Sequence, residues 1–147
     1  CLSKSRAQVS DAIERKFLQD AESKIMGALP TKSGGLVPRL TEWPNDHDFE
    51  VAERRAKAIH DITSISNHLG NNSACQALTS KMQKHFDNYV AGILKALPMA
   101  PENLIDTAQA YVHIATRLME LILGADEADL LRRRSNAAIR DLRKDNG

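Results

Sequence analysis

The sequence predicts an all-α protein, an antiparallel, up-down bundle of about five helices, and three observations carry that expectation. Apolar residues recur at three- and four-residue steps in five stretches, while no stretch alternates with the period of two that marks a strand. Aromatic residues are only 4% of the chain, so the core must be built from Leu, Ile, Val, Ala and Met. That supply suits helices packed on helices better than strands, which draw on aromatic and β-branched side chains. Proline and glycine separate the five stretches, and the later turns are short, which forces antiparallel neighbours. A length of 147 residues suits one domain, residues 1–147, able to bury roughly 70% of its unfolded surface.

The first helix is expected from about Lys4 to Leu29, with the stripe Val9, Ala12, Ile13, Phe17, Ala21, Ile25 and Ala28, and Pro30 ends it. Residues 30–45 form one long connection carrying Pro30, Gly34, Gly35, Pro38, Pro44 and the sole tryptophan, Trp43. Loops of that length in a compact domain are often functional or serve as linkers. Its apolar residues, Leu36, Val37, Leu40 and Trp43, must either lie over the bundle or dock on another chain. Ser33 to Arg39 also resembles a thrombin cleavage sequence, without the Gly-Ser that usually follows.

The second helix is expected from Asp46 to Leu69, capped by Asn45 and closed by Gly70, with Ala52, Ala56, Ile59, Ile62, Ser66 and Leu69 inward. Ser73 and Gln76 have capping-box spacing at the start of the third, whose stripe is Leu78, Met82, Phe86, Tyr89, Ile93 and Leu97. The fourth, Pro101 to Leu123, has the broadest apolar face and is the expected centre of the bundle, with Pro101 as its first residue. The fifth spans Asp126 to about Lys144. Acids at its start and bases at its end complement the helix dipole, and its thin stripe is Ala128, Leu131, Ser135, Ala138 and Leu142.

Net charge is +1, which gives no global attraction to nucleic acid or an anionic membrane. No apolar run is long enough to span a bilayer, so a soluble chain, cytoplasmic rather than exported, is the expectation. An N-terminal Cys is also what a matured bacterial lipoprotein carries, so lipid anchoring through Cys1 stands as an alternative to a trimmed start. Two cysteines, Cys1 and Cys75, make no disulfide framework or metal site; Cys75 reads as a small buried filler. The five histidines, at 47, 60, 68, 85 and 113, form none of the pairs with which helices bind zinc or two irons, so no metal and no cofactor is expected. His113, between Val112 and Ile114, reads as a histidine at the edge of the core. Neither a nucleophile elbow nor a phosphate loop occurs, and the chain reads as a non-enzyme.

The run Glu53-Arg54-Arg55-Ala56-Lys57-Ala58-Ile59-His60-Asp61-Ile62 resembles the phosphoacceptor helix of two-component histidine kinases. The resemblance covers about ten residues and implies that His60 would carry a phosphoryl group while Asp61 orients its imidazole. Thr63-Ser64-Ile65 stands where that family often places a polar residue and then a proline, and no ATP-binding module follows, so the implied role is phosphotransfer.

Arg132, Arg133, Arg134, Arg140, Arg143 and Lys144 place six positive charges in 13 residues against one acid, Asp141. Three consecutive arginines fan over roughly 200° of a helix, so they cannot share one surface. Trp and Arg are both enriched in binding hot spots. The favoured reading is therefore a non-enzymatic interaction or assembly protein, self-associating or binding a protein partner. Leu36, Val37, Leu40 and Trp43 would act with Arg132, Arg133, Arg134, Arg140 and Arg143. The alternatives are histidine phosphotransfer through His60 and nucleic-acid binding by the C-terminal arginines, as in a viral packaging subunit.

Overall fold

The computed structural model describes the backbone of residues 2–31, 38–69 and 73–145, and the side chains of 15–31, 38–65 and 74–144. Five α-helices follow one another among the described residues: α1 (Leu2–Gly27), α2 (Asp46–Leu69), α3 (Ser73–Ala96), α4 (Glu102–Leu123) and α5 (Ala125–Asp145), with a 3₁₀ turn, Leu97–Met99, between α3 and α4. No strand occurs among the described residues. Helix α1 packs on α2, both α2 and α3 pack on α4, and α5 packs on the remaining side of α4. The expected bundle is thus observed, with the most apolar helix at its centre and α1 and α5 at the flanks.

Local chemistry explains the helix ends. Asn45 Oδ1 accepts the backbone N–H of Asp48 at 3.0 Å, satisfying one orphan donor at the start of α2, and Asp46 and Asp48 lie in the favourable field of its first turn. α1 stops at Gly27, two residues short of the expected Leu29, because a residue preceding proline is pushed out of helical geometry. The chain tightens first: Ala28 and Leu29 donate to Ile25 O and Met26 O, both at 3.1 Å, in three-residue turns. Pro101 stands outside α4 instead of opening it: its ψ of 154° is extended, and Leu104 N–H donates to its carbonyl at 2.9 Å. Gly124 ends α4 with φ of 104°, a backbone that glycine alone adopts without strain. The expected Gly70 cap lies outside the described residues, as do the side chains of Val9, Ala12, Ile13, Ser66, His68, Leu69 and Ser73.

The buried side chains form one cluster. All six expected positions of α3 are buried, and Phe86 is completely enclosed. α5 shows one correction: Ala138 is exposed and Ile139 is buried in its place. The inward stripe is therefore Ala128, Leu131, Ser135, Ile139 and half-buried Leu142, whose steps of three and four track 3.6 residues per turn. Ser135 is tolerated in that stripe because its hydroxyl donates to Leu131 O at 2.7 Å.

Candidate functional site

The long connection is held at both ends. Pro38 is bridged to Thr31, and Arg39 N–H donates to Pro30 O at 2.9 Å, closing a neck between the two described parts of the connection. Two tyrosines clamp that neck and the segment after it. Tyr89 of α3 donates its hydroxyl to Pro30 O, and Tyr111 of α4 donates to Glu42 O, each at 3.0 Å. Burial pushes both phenols above their ordinary range. Tyr111 adds to the rise at Tyr89, Glu42 and Asp48 add to it at Tyr111, and Arg39 opposes both. Pro38 itself is buried against Gly92 of α3, where a Cβ would stand 2.8 Å from its Cδ. Glycine in mid-helix is explained by that approach.

Trp43 is therefore bracketed by fixed points. Glu42 before it is tied to Tyr111, Pro44 after it restricts its backbone to extended geometry, and Asn45 caps α2. The indole is nevertheless 63% exposed, whereas every other aromatic side chain is buried or half-buried. It borders a groove of about 680 Å³ between the start of α2 and the middle of α4. Phe49, Ala110 and Ile114 supply apolar wall, and Asp46, Asp106 and His113 supply polar edge. His113 is thus an exposed groove residue instead of a core-edge one.

A second groove, of about 510 Å³, adjoins the first between α4 and the end of α5. Arg140, Arg143 and Lys144 border it, and Gln109 borders both grooves. Arg143 joins the two: its guanidinium reaches Asp106 Oδ1 at 3.1 Å and Gln109 Oε1 at 3.0 Å.

The structure separates the expected contact residues into those that serve the fold and those that remain open. Leu40 is buried in the protein's own core and is not available to a partner. Arg132 is engaged by Asp129 at 2.7 Å and Glu120 at 3.4 Å. It belongs to a chain of charges, Lys57–Glu53–Arg117–Glu120–Arg132–Asp129, that links α2, α4 and α5. Arg133, Arg134 and Arg140 are exposed and form no ion pair among the described residues. Leu36 and Val37 lie outside the described residues. His60 and Asp61 are exposed on α2. They stand 11 and 12 residues beyond Phe49, roughly 17 Å along the helix, and line neither groove. No group of three or more His, Cys, Asp or Glu placed to hold a metal ion occurs among the described residues. Nor is any helix there long and apolar enough to cross a membrane.

Asp106 and Gln109 lie off the apolar face of α4 that stands out in the sequence, and His113 reads there as a core-edge residue. With Arg117 and Glu120 they recur at steps of three and four, a polar seam along a helix that otherwise faces neighbours. That seam is the signal that could have located the groove. No protein-family model matches the chain, and none of the curated proteins or solved structures compared with it matches either.

Proposed function

We propose that this helical bundle is a non-enzymatic interaction protein that seats a protein partner on the two adjoining grooves. The observation that carries the reading is Trp43: a large aromatic group held in the open, over an apolar groove, by a connection fixed on both sides. Leaving an indole in water forgoes burial free energy of a few kcal/mol at about 25 cal/mol per Å². Rigid aromatic anchors beside arginines are the usual composition of a binding hot spot. The partner chemistry follows from the lining. An apolar or cationic side chain suits the Trp43 groove with its aromatic faces and two carboxylates, and an acidic group suits the Arg140–Lys144 groove.

Removing α5 does not isolate the contact, because Ala128, Leu131 and Ile139 are core residues and their loss would strip α4. Site-specific photocrosslinking does isolate it. A photoreactive residue at position 43, in cells that express the protein, should give a discrete protein adduct. The same residue at Met99, which is 92% exposed and lines neither groove, should not. Identical adducts from both positions, or none from position 43, would contradict the proposal.

A further inference from the structure

We infer that the partner seated on this surface is a second copy of the same chain, related to the first by a two-fold axis near Gln109. The inference rests on the protein-binding reading above and names its partner.

The surface is dipolar in an ordered way. The Trp43 groove carries Asp46 and Asp106 and no lysine or arginine; the neighbouring groove carries Arg140, Arg143 and Lys144 and no acid. Gln109 stands at their shared border. In a two-fold interface the same patch meets itself with its ends exchanged. A patch of one sign would then repel itself, but a patch with an acidic end and a basic end is its own complement. Rotation about the border sets the acidic, aromatic groove of each copy against the basic groove of the other, so the favourable match is made twice. Gln109 near the axis can meet its counterpart, since a primary amide both donates and accepts.

Asp106 and Arg143 already pair within one chain at 3.1 Å, but the outer charged residues on either side do not. Asp46, Arg140 and Lys144 are exposed and form no ion pair among the described residues. A guanidinium or ammonium group arriving from the basic groove of the other copy would lie against Trp43 and Phe49 and beside Asp46. An aromatic face and a carboxylate both attract a cation there. A net charge of +1 adds almost no long-range repulsion between copies.

The test is a charge exchange read by sedimentation velocity at low salt, with Asp46→Arg and Arg140→Asp made separately. Both positions are exposed, and a helical circular dichroism spectrum equal to that of the parent qualifies each variant. The unaltered chain should form dimers. In a dimer of either variant alone, like charges face each other twice, so association should weaken about tenfold or more. An equimolar mixture of the two should recover it. A mixed pair sets the introduced arginine of one copy against the introduced aspartate of the other at one contact, and keeps the original match at the second. Trp43→Ala, at another exposed position, should also dissociate the dimer.

Failure of the mixture to recover association would overturn the inference, as would parent-like dimers of Trp43→Ala. A parent chain monomeric up to roughly 1 mM, beyond which specific contacts are scarcely measurable, would do the same. A monomeric chain whose position-43 adduct contains a different protein removes the second copy and leaves the protein-binding reading standing. Binding of nucleic acid by the basic groove, lost steeply with salt while the chain stays monomeric, also counts against it.

Discussion

Replacing Gly92 by alanine sets two effects of opposite sign against each other, and the geometry says which wins. In an ordinary helix interior the change gains about 1 kcal/mol, because glycine gives up more backbone freedom on folding. At position 92 the new Cβ would lie 2.8 Å from Pro38 Cδ and 3.1 Å from Pro38 Cγ. Neither atom is the end of a flexible side chain. The ring is closed on the backbone, and that backbone is held by the bridge to Thr31 and by the hydrogen bond from Arg39 to Pro30. One of the two elements must shift, and forcing a methyl group into a packed site costs about 1–3 kcal/mol. The expected net result is destabilisation by about 1 kcal/mol, a fall in midpoint temperature of about 3 °C for a chain of this size. Urea unfolding followed by helical circular dichroism measures it. The decisive comparison is the same substitution beside Pro38→Ala, which removes the obstructing ring atoms. There Gly92→Ala should gain stability by about 1 kcal/mol, as helix propensity alone dictates. A Gly92→Ala variant more stable than the parent with Pro38 in place would refute the close approach and the neck built on it.

Three further outcomes are expected. Because burial raises the phenol of Tyr89, and to a lesser degree that of Tyr111, above the unfolded value of 10, the folded state keeps protons that the unfolded state releases. That contribution is complete below pH 10 and is lost as pH rises from 10 toward the folded values, so alkaline urea titrations should show falling stability that Tyr89→Phe makes shallower. Gly124→Ala should cost about 1 kcal/mol or more by urea unfolding, since its φ of 104° strains any L side chain although space is open around it. His60→Gln, at an exposed position, should change stability by less than about 0.5 kcal/mol. If the phosphotransfer alternative holds, that substitution abolishes labelling by a phosphorylated response regulator; equal labelling of parent and variant excludes His60 as the acceptor.

The parts of the fold that depend on local chemistry were legible in the sequence. α2 falls on its expected bounds because Asn45 and two acids mark its start; α3 ends at Ala96, one residue before the expected Leu97, and its stripe is buried throughout. Where one local signal competes with another, the linear reading is off by a residue or two. Ala138 and Ile139 are both apolar neighbours, and only the packing of α5 on α4 decides which turns inward. The candidate site was legible in pieces. Trp43 and the C-terminal bases stand out in a linear reading, but their junction does not, because Asp106, Gln109 and His113 come from a helix noticed for its apolar side. Nor could sequence spacing show that Leu40 is absorbed by the core or that Glu120 and Asp129 engage Arg132. Those assignments depend on which residues distant in the chain become neighbours.

Trp43 is the sole tryptophan, so acrylamide quenching of tryptophan fluorescence measures directly whether its own chain leaves the indole uncovered. In dilute, dissociated protein the emission should be red-shifted toward that of indole in water and quenched with ready access. Blue-shifted emission that resists acrylamide at the same dilution would mean that the chain closes the groove by itself, and would contradict the account.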